Sequence, residues 1–236
     1  MKHYYALFSG GLDSTLAILK VISGEEPVRV TPIFFYYGQK SGEKEAEAIE
    51  QLIPALRERK ESQETEIEDC RMLDIENLED GLFSWSRSAI LKLRPMDDED
   101  VDVENRNMIL IACAVSIIMA DWKRAGKEED VELITGFLNG HYDTSLVFVQ
   151  KLNDLFDAIE KPIKVIAPLI PEGQEGQVKP NQLIKLARSL NALGLLKTKT
   201  WSCYYPQDGE ECHKCPPCSK RTRIFQELGM KELKRK

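Results

Sequence analysis

Short apolar runs alternate with amphipathic stretches along the whole chain. Runs at 4–8, 28–35, 65–67, 131–136 and 163–167 are too short for helices and rich in aromatic and β-branched residues, so they predict strands. Between them, apolar residues recur with helical spacing at 15–22, 43–59, 106–122, 146–159 and 181–193. Strands that alternate with helices predict an α/β protein, with a doubly wound and mainly parallel sheet covered on both faces. Ligands in such folds sit at the carboxyl ends of strands, where Ser9, Tyr37, Gly136 and Pro168 fall. The longest apolar run, 108–120, reads as a buried helix.

Composition narrows the class. The chain has 236 residues, 42% of them hydrophobic, enough for one large domain with a real core. We expect an α/β domain over 1–197 and a small module with a C-terminal helix over 198–236. A net charge of −7 argues against a general nucleic-acid binder. No run reaches the ~18 apolar residues of a membrane span, and Phe8 is followed at once by polar residues, so a cytoplasmic location is expected. The acidic stretch 97–104 reads as a solvated loop and the basic end 231–236 as frayed.

The first strand runs directly into Ser9-Gly10-Gly11-Leu12-Asp13-Ser14-Thr15 and then a helix. Adjacent glycines let backbone N–H groups approach an anion, and a helix N-terminus adds about half a positive charge. The two serines can donate hydroxyls, and Asp13 can hold Mg2+. A bare strand-to-helix turn needs one capping residue, not this set. The loop is neither a Walker A nor a G-x-G-x-x-G motif.

Six cysteines are present. Cys70 and Cys113 are isolated and read as small buried side chains. Cys203, Cys212, Cys215 and Cys218 are clustered, and in a reducing compartment such a cluster points to a metal. Four thiolates suit a closed tetrahedral Zn2+ site; an iron–sulfur cluster has the same spacing. Zinc is the expectation, since the chemistry implied below transfers no electron. His213 could substitute as a ligand, but four cysteines suffice. Lys214, Lys220, Arg221 and Arg223 either offset the charge of a zinc tetrathiolate or face an anionic substrate.

The loop resembles the S-G-G-x-D-S pyrophosphate loop of the ATP pyrophosphatases, enzymes of the adenine-nucleotide alpha-hydrolase type. Loop and cysteines together resemble the 7-cyano-7-deazaguanine synthase (QueC) family over most of the chain. Tyr37-Gly38-Gln39, Ser88-Ala89, Arg106-Asn107, Ala167-Pro168-Leu169, Thr200-Trp201-Ser202-Cys203-Tyr204 and Arg221 match its motifs. The resemblance implies that 7-carboxy-7-deazaguanine is adenylated by ATP with release of pyrophosphate. Ammonia then gives the amide, and a second adenylation gives the nitrile. It assigns ATP to Ser9, Gly10, Gly11, Asp13, Ser14, Thr15, Tyr37, Gly38 and Gln39. It places Arg106 on the α-phosphate or the substrate carboxylate and Asp143 on the deazapurine ring, and it implies a homodimer.

The acceptor side departs from that family. Glu104-Asn105 stands for its Pro-Gly, Lys40-Ser41 for a basic residue and histidine, and His141-Tyr142-Asp143-Thr144 for Tyr-Pro-Asp-Cys. His141 is a candidate base or a turn-stabilising residue. Two products therefore stay open. One is the nitrile. The other is an amide formed with an amine of a partner protein, as in QueC-like members of bacterial anti-phage gene clusters. Enzymes of tRNA thiolation and of lysidine, GMP or NAD synthesis share the fold type. An acidic chain lacks the basic face of a tRNA enzyme, and GMP and NAD synthesis do not call for the four cysteines.

Overall fold

The computed structural model describes residues 1–75, 106–126 and 131–228. Ser88-Ala89, Glu104-Asn105, the acidic stretch 97–104 and the basic end 231–236 lie outside the described residues. Strands β1 (Lys2–Leu7), β2 (Val28–Tyr36), β3 (Glu66–Ile67), β4 (Arg71–Asp74), β5 (Val131–Ile134) and β6 (Ile163–Ile166) form one sheet. Its order is β3-β2-β1-β5-β6, with β4 also on β2, and every pair is parallel. The expected α/β class with a parallel sheet is observed.

The helices are α1 (Leu12–Ile22), α2 (Gly42–Arg57), α3 (Arg106–Arg124), α4 (Leu146–Ala158), α5 (Pro180–Ser189), α6 (Leu193–Lys199) and α7 (Pro216–Glu227). Residues 30–35 of β2 are all buried, as a strand covered on both faces requires. The sheet then packs through Tyr5, Phe8, Ile33 and Leu133 against Leu16, Ile18, Ile49, Leu52 and Ile118.

Four expectations change. β4 was not predicted, because Arg-Met-Leu-Asp carries charges at both ends; it completes the edge that β3 begins, along Ile33–Tyr36 of β2. The helix over 181–193 ends at Ser189, since Asn191 adopts a left-handed φ of 47°, and a separate helix, α6, follows. The apolar run 108–120 is not buried all round: Ile111, Ala114, Val115, Ile118 and Met119 face the core, whereas Met108 is 45% exposed. Cys70 and Cys113 are half-buried rather than buried. Burial still pushes the Cys70 thiol up to about 12, so it stays protonated and unreactive at neutral pH.

The chain passes from β1 to β2 on one side and reaches β5 on the other. The order reverses at β1, and the crevice opens between the carboxyl ends of β1 and β5. Two glycines make it. Gly10 has a φ of +67°, and a Cβ there would lie 2.9 Å from the Glu45 carbonyl. A Cβ on Gly136, just beyond β5, would lie 2.9 Å from the Ser14 nitrogen and 3.1 Å from the Asp13 carbonyl carbon. Only glycine lets the end of β5 lie against the first turn of α1.

Gly136→Ala should force that turn away from β5, costing about 1–3 kcal/mol and lowering Tm by several degrees. Gly194→Ala in α6, where an added Cβ meets nothing within 4 Å, should be neutral or stabilising by up to about 1 kcal/mol. Thermal unfolding of both variants checks the pair.

Candidate active site

The residues after β1 build an anion cradle. Helix α1 starts at Gly11 without a side-chain cap, so its first N–H groups remain for a ligand. The Ser9 and Ser14 hydroxyls lie 3.3 Å apart. Thr15 spends its hydroxyl inside the loop, donating to the Gly11 carbonyl at 2.7 Å. Asp13 Oδ2 accepts from Lys220 Nζ at 2.8 Å. Asp13 Oδ1 is buried with no hydrogen-bond partner among the described residues. An orphaned carboxylate oxygen beside a phosphate cradle fits a hard divalent cation.

The cysteines close over this loop. The Sγ atoms of Cys203, Cys212, Cys215 and Cys218 all lie within 4.8 Å of one another. A tetrahedral zinc with Zn–S near 2.3 Å holds its sulfurs about 3.8 Å apart; a four-iron cluster would hold them further apart. The set fits a single ion that one face of the protein encloses. The Cys212 N–H donates to Cys203 Sγ at 3.2 Å and the Cys215 N–H to Cys212 Sγ at 3.4 Å. Burial opposes ionisation of Cys212, but the N–H groups of Lys214 and Cys215 and the neighbouring thiols outweigh it and bring the thiol down to about 6. One thiolate is thus favoured within the metal-free cluster, whereas burial pushes Cys203 up to about 11 and raises Cys218 as well. His213 is exposed, at a left-handed φ of 55°, and stands outside the sulfur group.

The cysteine segment and the loop touch directly. The Trp201 N–H donates to the Gly10 carbonyl at 2.9 Å, and the Trp201 indole donates to the Cys203 carbonyl at 2.8 Å. Arg221, 8% exposed, donates to Thr200 Oγ1 (2.8 Å), Ser202 Oγ (3.4 Å) and the carbonyls of Leu196 (3.3 Å) and Lys197 (2.6 Å). Its guanidinium also lies over the Phe225 ring, 5.1 Å from the centroid. Arg221 thus ties the end of α6 to α7 and, though largely buried, also lines part of the cavity beside the loop.

A second group of polar side chains stands beyond the end of β2. Arg106, at the start of α3, lies beside the Tyr37 and Tyr204 phenols and the Asp143 carboxylate, which favour its charged form against burial. Asn107 donates to Asp143 Oδ2 at 2.8 Å. Gln39 folds back on its own turn: its Oε1 accepts from the Tyr37 N–H (2.8 Å), and its Nε2 donates to the Phe35 carbonyl (3.0 Å) and Glu45 (3.2 Å). Burial raises the Glu45 carboxyl above its ordinary range, against the hydrogen bonds from Gln39 and Ser41 and the charge of Arg106. Burial likewise raises the Tyr37 phenol.

A cavity of about 660 Å³ lies beside the loop, lined among others by Ser9, Asp13, Ser14, Glu45, His141, Tyr204 and Lys220, and it reaches the second group through Glu45 and Tyr204. It is large enough for a nucleotide-sized ligand. Residues 4–229 match the family model of the queuosine biosynthesis protein QueC. The chain belongs to the QueC family.

Among known QueC relatives, the 7-cyano-7-deazaguanine synthase of a Nitratiruptor species is 27% identical over 233 residues, covering 96% of this chain and 94% of that one. The enzyme of the same name from Gloeothece citriformis is 28% identical over 247 residues, covering 96% and 92%. A solved structure, a predicted subunit of tRNA methyltransferase from Methanocaldococcus jannaschii, aligns over 98% of this chain and 89% of its own at 16% identity and a TM-score of 0.42, too loose a likeness to argue from.

In this QueC-family chain the candidate residues separate by position. Ser9, Gly11, Asp13, Ser14 and His141 line the cavity, and Gly10 and Thr15 support the loop from behind. Tyr37, Gly38 and Gln39 form the neighbouring turn, with Gly38 at a φ of +85° and the Gln39 amide engaged within it. Arg106 and Asp143 share the second group. Asp143 sits on a single 3-10 turn, Tyr142–Thr144, which His141 precedes and whose Tyr142 is 99% exposed. Glu45 and the pairing of Lys220 with Asp13 were not anticipated. Glu45 reads as one more polar position on an amphipathic helix, and no sequence signal links residues 13 and 220.

Arg221→Ala should leave the carbonyls of Leu196 and Lys197 without their donor and cost about 3 kcal/mol or more. Arg221→Lys should recover little, because one ammonium cannot span those directions. Denaturant unfolding of the two variants checks this. Chelator treatment is expected to cost several kcal/mol of stability and to release about one zinc per chain, measured by elemental analysis beside thermal unfolding.

Proposed function

We propose that the protein adenylates 7-carboxy-7-deazaguanine at the expense of ATP and converts the acyl adenylate, with ammonia, to the amide and then to 7-cyano-7-deazaguanine. One observation carries the reading: an uncapped phosphate loop with an orphaned Asp13 oxygen opens into the same cavity as the Glu45 and Tyr204 side of the Arg106 group. Family membership and relatives named as 7-cyano-7-deazaguanine synthases support the substrate. We further assign Zn2+ to the four cysteines, as a structural ion without an open position, and read the enzyme as a cytoplasmic C–N bond-forming ligase that acts as a homodimer.

In this reading the N–H groups of Gly10 and Gly11 and the hydroxyls of Ser9 and Ser14 hold the β- and γ-phosphates. Asp13 would hold Mg2+, which supplies neutralising charge on the pyrophosphate when bound. Arg106 orients the substrate carboxylate, and Asp143, fixed by Asn107, meets the heterocycle. A carboxylate oxygen attacks the α-phosphorus and pyrophosphate leaves; ammonia then displaces AMP and loses a proton. The amide oxygen attacks the α-phosphorus of a second ATP and pyrophosphate leaves; loss of AMP and both amide protons then leaves the nitrile. The protein contributes position and electrostatics, worth several kcal/mol of barrier. His141, which lines the cavity, would take a proton from the incoming amine.

Incubation with ATP, Mg2+, 7-carboxy-7-deazaguanine and ammonia should give nitrile with about two AMP per product, followed by mass spectrometry. ADP in place of AMP would overturn adenylation. An amide that accumulates, or that appears as a mass shift on a partner protein, would instead place the altered acceptor residues in acyl transfer to an amine. Arg106→Ala should lower kcat/KM for the acid by 10²-fold or more (about 2.7 kcal/mol) while ATP binding changes little.

A further inference from the structure

Lys220 stands where two sets of constraints meet. It lies two residues after Cys218 and immediately before Arg221, and Cys218 and Arg221 are both buried and held. Its own side chain is 38% exposed, lines the cavity and ends 2.8 Å from Asp13 Oδ2. Asp13 keeps its other oxygen buried and unpartnered. The lysine therefore neutralises the one carboxylate of the phosphate loop, from a helix that the cysteines position. Ser9, Gly11 and Ser14, the donors of the cradle, line the same cavity.

We infer that Lys220 exchanges partners: it is the counterion of Asp13 in the metal-free protein and the counterion of a polyphosphate once a divalent cation is held at Asp13. An ammonium is a compact charge with three rotatable donors, so it can leave a carboxylate for a phosphate oxygen without moving its helix. Lys220 and a cation compete for Asp13 when no polyphosphate is present. With a polyphosphate in the cradle they act together on the same anion. Lys220 thus makes cation binding and polyphosphate binding mutually dependent, and that dependence is reciprocal. The loop is kept closed to free cations and opens to the cation–polyphosphate complex. The inference rests on the phosphate-binding reading of the loop.

The test uses the full-length, zinc-loaded protein and calorimetric titration with Mn2+ alone, pyrophosphate alone and Mn2+ with pyrophosphate. Lys220→Met should bind Mn2+ alone about 3- to 10-fold more tightly and pyrophosphate at least 10-fold more weakly, with Lys220→Arg close to the parent. A merely structural lysine would weaken both ligands together or neither. Zinc content and Tm of Lys220→Met confirm that α7 stays in place. If the parent binds pyrophosphate and Lys220→Met has unchanged affinities for both ligands, this inference alone falls. If the parent binds no pyrophosphate under any condition, the phosphate-binding reading falls and takes the inference with it.

Discussion

The turn after β1 leaves the start of α1 without a side-chain cap, and the rest of this molecule supplies what that turn cannot give itself. Gly10 and Gly11 leave α1 without a cap, a state that costs stability unless neighbours fix the chain there. Three contacts do so. Gly136 brings β5 against the first turn of α1. The Thr15 hydroxyl secures the Gly11 carbonyl, and the Trp201 N–H secures that of Gly10. The loop stays open toward the cavity because every side away from it is occupied.

The cysteine segment is best understood through that third contact. Its sulfurs gather around one point, its tryptophan holds the loop backbone, and the helix after it carries Lys220 to Asp13. Four cysteines at this spacing leave an ion no open position for a reacting group. The contribution of the segment is to serve as a wall, braced by the carbonyl partners of the buried Arg221.

How much of this is legible in the sequence depends on how local the cause is. Strands and helices with strong periodicity are readable, and the parallel sheet follows from their alternation. Ser9 to Thr15 and the four cysteines are readable because each set is contiguous and its chemistry is explicit. β4 is hidden because an edge strand needs no apolar run, and the break between α5 and α6 because it depends on a single left-handed asparagine, Asn191. Gln39 reads as a ligand by motif, yet its amide is consumed by Phe35, Tyr37 and Glu45. Arg221 reads either as a counter-charge to the sulfurs or as an anion-facing group, and its guanidinium is largely engaged by carbonyls. In both, motif position is visible and the direction of the side chain is not.

The pairing of Asp13 with Lys220 joins residues 207 positions apart in the chain, and the donation from Trp201 to Gly10 spans nearly as far. The loop itself is built from neighbouring residues, whereas its wall is held by contacts of very high sequence separation. The cavity therefore depends on pairings whose loop-closure entropy is among the largest in the described fold, and loosening either end of the chain's long circuit loosens the site.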